Sequence, residues 1–521
     1  MVGWSNYIGI VPISPSPTLG RRRIIVILIG LVFGNIMAGV EGTVVATARP
    51  FIVADLHRFD LSAWIFVSYQ LTQAISTNLW GKFSDLFGRK VLYQLSLVVF
   101  MAGSFTCGIS TSMQMLIVGR AIQGVGSGGL FTLSMVIMGD VLSPRERGRY
   151  VGYMAGTYGM ATVLGPFVGG AIVDNTSWRW IFFMMMPFGL AAITLAQINL
   201  KLAFKRRDRS IDYAGVLLLS VWVTSFVLYA EFGGDHGFTS PRMMALLVLG
   251  ILSLFAFIRT EQRAVEPVLP IRLFRDRTFS LTAASQMLNG IVTMTIGIMA
   301  PLWLQIVGGV NATKSGVLST PMVFGMLAAS IFTGTMMSRT GRYRIYPVLG
   351  SGLLCGAATL FATIGQGTPN LLPALYMFIA GAGSNGASQV LTVAVQNRVP
   401  HGDLGIATSA TAFFRSLGQV AGSAVYSALL VARLDHWLPR LVSDGSIVDS
   451  RQIRQSPKQI REMAPGTRDG IIESFSRSLH TVFFWLIPVC VIAFVVALAI
   501  PEHPLRENAA IGDDELVPAA H

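Results

Sequence analysis

The sequence predicts an all-helical polytopic membrane protein: two matched six-helix bundles with two extra helices between them. Three observations predict it. Of 521 residues, 52% are hydrophobic and only 12% charged, about half the charge of a soluble domain. GKFSDLFGRK from Gly81 and GTMMSRTGRY from Gly334 share a pattern, with Gly-Arg seven and eight positions after the first Gly. GVGSGGL from Gly124 recurs as GAGSNGA from Gly381, an offset of 257 residues that also carries Gly148 onto Gly405 and Gly165 onto Gly422.

About 20 apolar residues cross the hydrocarbon core. Such runs fall at 24–48, 62–81, 91–110, 114–139, 149–173 and 180–199. Two more lie at 212–231 and 242–259. The last six are 280–305, 315–337, 345–365, 371–398, 405–432 and 478–500. The total is fourteen, and the repeat makes the last six a replay of the first six. The expected organisation is a cytoplasmic segment 1–23, a bundle 24–199, and a linker 200–279 holding the two unmatched spans. A second bundle, 280–500, includes an external loop 433–477, and a cytoplasmic tail covers 501–521. The Arg21–Arg23 triplet precedes a run too long for a signal peptide, so the first span is expected to remain as an anchor.

A net charge of +13 raises nucleic acid as a partner, but the distribution excludes it. Arg and Lys crowd alternate loops, as at Lys82, Arg89 and Lys90 or Arg145, Arg147 and Arg149, while the intervening loops hold few. That bias places both termini in the cytoplasm of a multi-pass inner-membrane protein, its basic loops against anionic headgroups. Cys107, Cys355 and Cys490 lie inside apolar runs, which suits neither a disulfide frame nor a metal site. The near miss to a nucleotide-binding loop, Gly308 to Ser315, lacks its second Gly, so neither ATP nor an enzyme activity is expected.

Ionisable residues inside a bilayer are functional candidates by default. Glu41 in span 1, Arg49 near its end, Arg120 in span 4 and Arg415 in span 13 stand out. Spans 1 and 4 of a six-helix half both line a central cavity, so Glu41 and Arg120 can meet. Burial raises a carboxyl's proton affinity and a nearby guanidinium lowers it, so moving one against the other couples a proton to conformation. The counterpart of Arg120 in the second half is Met377, which assigns coupling to the first half. Substrate contacts then draw on polar residues of the cavity. The candidates are Gln123, Gln286, Asn289, Asn385, Gln389, Gln396 and Asn397, with Arg415 facing either an anionic group or a backbone carbonyl.

Asp85, in the loop of Gly81, Gly88, Arg89 and Lys90, is placed to accept from amides at a helix N-terminus. The start of span 13, Gly405 to Thr408, is the expected site of such a cytoplasmic latch. The mirror position is Ser338, so the second latch is expected to be weaker. Gly165, Pro166, Gly169 and Gly170 give span 5 a bendable, closely packed face.

Together these strings resemble the major facilitator superfamily, and within it the fourteen-span drug:proton antiporters of the EmrB/QacA type. Gly81, Asp85, Gly88, Arg89 and Lys90 match the signature loop; Arg120, Gln123, Gly124 and Gly126 match the span-4 motif that the family links to proton transfer. Gly165, Pro166, Gly169 and Gly170 match the antiporter motif. EGTVVATARP departs from the usual span-1 motif: Glu41 stands for Asp, Ala46 for Asn and Arg49 for Leu. The resemblance implies proton-driven antiport of lipophilic or amphipathic compounds by a monomer without cofactor or metal, with multidrug efflux as the physiological role. An exporter of one endogenous lipid, siderophore or antibiotic on the same fold is the alternative. Spans 9 to 14 lack the extra acids expected for dicationic substrates.

Overall fold

Hydrocarbon offers no partner to backbone amides and carbonyls, so a spanning chain satisfies them internally as helix. The computed structural model describes residues 21–58, 61–62, 64–142, 144–200, 212–264, 267–400, 403–442 and 465–505, and among these there is no strand. Helices α1 (Arg21–Leu56), α2 (Trp64–Phe87), α3 (Arg89–Gly108), α4 (Met113–Val141) and α5 (Pro144–Asn175) come first. They are followed by α6 (Trp180–Phe183) and α7 (Met186–Asn199), then α8 (Tyr213–His236) and α9 (Pro241–Arg263). After a 3-10 turn at Ile271–Arg275 come α10 (Arg277–Ile306), α11 (Ala312–Thr340), α12 (Ile345–Phe361), α13 (Leu371–Arg398), α14 (Leu404–Leu441) and α15 (Pro465–Leu498). Ser112, Asp212, Asp276 and Asn311 cap α4, α8, α10 and α11 by accepting from amides of the first turn.

Every predicted span overlaps one helix except the sixth, which α6 and α7 share. Pro187 near the start of α7 removes an amide donor there. Ten of these stretches are long and apolar enough to cross a membrane. Several helices outrun their predicted spans. α1 continues to Leu56, α14 to Leu441, and α15 begins at Pro465, so helix occupies both edges of the expected 433–477 loop; its middle lies outside the described residues. At the start of α15, Ile471, Phe475 and Leu479 are fully buried, while Glu473 and Arg477 pair at 2.5 Å one turn apart. An apolar stripe on one face lowers the average hydropathy without ending the helix.

The repeat reappears as packing. Helix α4 lies on α2 and α3, and α13 on α11 and α12; α5 lies on α1, and α14 on α10. The recurring glycines occupy these crossings. Gly124 abuts the Tyr69 carbonyl and Gly381 the Met322 carbonyl; Gly165 meets the Thr43 hydroxyl and Gly422 the Ile291 carbonyl. A side chain at any of them would push two helices apart.

The two sets of helices meet along two seams, α2 with α14 and α5 with α11. The inserted pair α8–α9 covers the first seam, packing Leu219, Val223 and Phe257 into a shared core with Ala407, Ala410 and Phe413. Outward-facing Leu217, Phe255, Trp180 and Trp485 leave an apolar exterior of the kind lipid solvates.

Candidate functional site

Glu41 of α1 and Arg120 of α4 form an ion pair, with side chains 2% and 1% exposed. Arg120 has further partners. Its Nε donates to the Ile65 carbonyl (2.9 Å) and Nη1 to Gln123 Oε1 (2.7 Å), and its guanidinium lies 4.3 Å from the centre of the Tyr69 ring. Gln123 in turn donates to Ser104 (2.7 Å). A buried charge is tolerated only with such paired and bonded surroundings. Arg49 lies elsewhere: it donates to Ser62 Oγ (3.0 Å) and approaches the Phe66 ring.

Two cavities lie near Arg120. One of about 240 Å³ is lined by Arg120, Tyr69 and Gln70 among others. The other, about 220 Å³, lies where the two sets of helices face each other and includes Gln286, Asn385, Gln389 and Arg415. Ala38, Gln73, Ser416 and Gln419 line both. Gln73 and the Tyr69 hydroxyl both donate to Ser127 Oγ, at 2.9 and 2.6 Å, so the ring under Arg120 and the wall of the cavity between the halves are bonded to one hydroxyl.

Four of the amides read from the sequence are committed to packing instead. Gln123 holds Arg120, and Asn289 donates to the Ser384 carbonyl (3.0 Å). Gln396 accepts from Arg147 (2.6 Å) and Asn397 donates to the Pro504 carbonyl (3.0 Å).

On the side of the basic loops, Asp85 Oδ2 accepts from the Ile406 amide at the start of α14 (3.1 Å). A Cβ at Gly405 would stand 2.6 Å from that same oxygen and from the Gly81 carbonyl, so only glycine permits this approach. Ser409 adds a bond across the seam to Asn78 Oδ1 (3.2 Å). Arg89 bridges Asp85 (3.2 Å) and Asp140 at the end of α4 (2.7 Å), and Lys90 donates to the Gln197 carbonyl (2.9 Å). Burial pushes the Asp85 carboxyl up to about 7, against the pull of Arg89 and the Ile406 amide. Gly88 ends α2 at φ 92° and Gly341 ends α11 at φ 70°, the left-handed region that glycine enters at no steric cost.

Residues 31–423 match the sequence profile of the Major Facilitator Superfamily. The chain belongs to this superfamily. It is 35% identical over 499 residues to an uncharacterized MFS-type transporter of Mycobacterium tuberculosis H37Rv, spanning 96% of this chain and 72% of that protein. Against the multidrug transporter protein MdtP of Bacillus subtilis the identity is 33% over 410 residues, 78% of this chain and 75% of the relative. The human organic anion transporter MFSD10 shares the fold, with a TM-score of 0.61 over 91% of this chain and 99% of that one at 14% identity. A member of this superfamily is a multi-pass membrane transporter of small molecules, not an enzyme, and runs on an ion gradient without a cofactor.

Within the facilitator fold, three residues matter that sequence reasoning passed over. Asp140 completes the Arg89 bridge. Arg147, 2% exposed, donates to Gln396 across the halves and to the carbonyls of Gly139 (2.6 Å) and Leu142 (3.1 Å); Gln396 passes the link to Thr408 of α14 (2.9 Å). Glu502, beyond the last helix, accepts from the Tyr343 amide (2.8 Å) in the second loop, while Tyr343 donates its hydroxyl to the Pro501 carbonyl (2.7 Å). The start of the expected tail, residues 501–505, is thus docked on the fold. In α5, Gly165 and Gly169 pack on Thr43 and Val44 of α1, whereas Gly170 faces open space. The side chain of Pro166 lies outside the described residues.

Proposed function

We propose that the chain is a proton-coupled antiporter that exports lipophilic or amphipathic small molecules by alternating access, in the manner of a multidrug efflux pump. It would cross the inner membrane fourteen times with both termini in the cytoplasm and act as a monomer, its external surface formed in part by the 433–477 region. The domain division is the one read from the repeat: bundles at 24–199 and 280–500, with α8 and α9 as an insertion.

One observation carries this reading: Arg120, whose guanidinium is paired with the buried Glu41 carboxylate, walls a cavity that shares Gln73, Ser416 and Gln419 with the cavity between the halves. Protonating Glu41 removes its attraction for Arg120, which keeps its bonds to Ile65 and Gln123. The hold of α1 on α4 is then weakened, leaving the Asn35–Ser134 bond (3.1 Å), and α1 also carries Ala38 of both cavities and the Thr43 contact to α5. A proton on one residue thereby biases the packing of the helices that wall the substrate space. On this reading the bonds of Asp85, Arg147 and Gln396 across the halves would close the cytoplasmic side, and entry from the cytoplasm would require them to break. Relatives with multidrug and efflux names support the exported class.

The test is reconstitution in proteoliposomes. An imposed pH gradient should drive uphill movement of a neutral amphipathic probe, and ATP should have no effect. Movement indifferent to the gradient, or abolished only by a sodium gradient's collapse, would reject proton antiport.

A further inference from the structure

The cavity between the halves mixes side-chain amides and hydroxyls with the apolar Phe131, Met135 and Met326. Several of its polar groups are engaged within the protein. Gln286 donates to the Ser388 carbonyl (3.0 Å) and accepts from the Ser388 hydroxyl (2.8 Å), and Gln73 donates to Ser127. The guanidiniums are engaged as well: Arg415 has a partner in the protein, and Arg120 of the adjoining cavity is paired with Glu41. Asn385 and Gln389 of α13 differ. Each is 8% exposed and lines the cavity, and among the described residues neither carboxamide has a hydrogen-bond partner. Four residues apart, they leave one face of the helix about 6 Å from each other. Gly381 and Gly383, about one turn earlier, seat α13 against the carbonyls of Met322 and Gly350, so both amides are presented from a stiff support.

A buried amide that the fold leaves unpaired is satisfied by water or by a guest. A carboxamide offers a carbonyl acceptor and an N–H donor side by side in one plane. Its complement is the same pair reversed, the edge of a lactam, an imide or a primary carboxamide, which closes two bonds at once. A ketone or ether answers only the donor, and a hydrocarbon answers neither. A site built to hydrogen-bond its guest rejects the analogue that lacks the matching group. A cation or an anion would shed its hydration in a space whose described lining holds no Asp or Glu and whose guanidiniums are already engaged.

We infer that this cavity selects uncharged compounds in which an apolar body carries a lactam-type amide edge, and that Asn385 and Gln389 are the groups that read it. The inference deepens the exporter reading and rests on this cavity being where the transported compound sits. The apolar body lies against Phe131 and Met326, and the guest brings no charge to compete for Glu41 or Arg120.

The experiment uses the full-length protein in detergent and in proteoliposomes. Three probes share one arylalkyl body, linked through a ring carbon to a five-membered lactam, its N-methyl derivative or a cyclopentanone. Titration calorimetry should show the lactam bound about tenfold more tightly than either of the others. Asn385→Ala and Gln389→Leu should each reduce that preference, and the double variant should bring it close to one. The denaturation midpoint should stay unchanged in all three variants, because neither amide bonds to the protein. Equal affinity for the three probes, or a lactam preference that survives in the double variant, would overturn the inference. So would loss of all binding together with a lowered midpoint, which would assign the two amides to packing. Movement under a pH gradient judges the exporter reading separately. If the N-methyl probe moves and the lactam is not preferred, only the amide assignment fails; if the lactam is preferred through Asn385 and Gln389 and nothing moves, only the exporter reading fails.

Discussion

The loop after α2 and the loop after α11 descend from one pattern yet are held by different means. The first carries its own acid: Asp85 reaches the amide of Ile406, and Arg89 ties it to Asp140. The second has Ser338 at that position and takes a carboxylate from outside the repeat, Glu502, which accepts from the Tyr343 amide. Both keep the glycine that ends the helix, at φ 92° and 70°. Backbone geometry is therefore preserved where sterics demand it, while charge is free to be supplied from any segment that passes nearby. The same division holds at depth, where Arg120 of the first half faces Glu41 and its counterpart Met377 is part of an apolar core.

This asymmetry can be broken experimentally, beginning with the pair that would drive transport. Glu41→Gln should cut gradient-driven efflux by about a hundredfold while substrate exchange without a gradient persists; equal loss of both would assign Glu41 to structure. Arg147→Met comes next. It leaves Gln396 and two carbonyls without their donor and should destabilise the protein by about 2–4 kcal/mol, read as a fall in the denaturation midpoint in detergent. An unchanged midpoint would show that the link between the halves carries little. Asp85→Asn should slow turnover by about three- to tenfold with substrate affinity within about twofold, and an unaltered rate would remove the latch from the transport cycle. Glu502→Gln should change turnover by no more than about twofold. An effect equal to that of Asp85→Asn would make the two loops equivalent and end the comparison.

The pH dependence of the latch follows from Asp85. Its carboxyl sits at about 7 when buried, against 3.8 for an unperturbed aspartate side chain, so on the proposed cycle the closed seam would hold a proton that an open, hydrated seam would release. Closure is thus favoured as pH falls towards 4 and is progressively lost as pH rises through about 7. The accessibility of a cysteine introduced at the α2–α14 seam should rise between roughly pH 4 and 7 with Asp85 intact and stay flat once Asp85→Asn is added; the opposite slope would contradict the linkage.

Much of this was legible in the sequence, for physical reasons. Repeated glycines mark helix crossings because no other residue fits there, so Gly124 with Gly381 and Gly165 with Gly422 announce the packing pairs. Glu41 and Arg120 announce themselves because charge within an apolar run is rare. Arg147 and Glu502 gave no such signal: one hides in the basic first turn of α5, the other follows the last span, and charge is ordinary in both places. The extents of α14 and α15 were missed because a one-sided apolar stripe averages to a polar value. Polar residues in the core were over-read as cavity groups, since Asn289 and Asn397 satisfy neighbouring carbonyls and have little left to offer a guest.

The most direct measurement follows a neutral amphipathic probe in proteoliposomes, comparing native protein with Glu41→Gln under an imposed pH gradient. Native protein should accumulate the probe against its own gradient, and the variant should only equilibrate it. Uphill accumulation by the variant at the native rate would contradict the account, because the proton would then be carried by a group other than the one that faces Arg120.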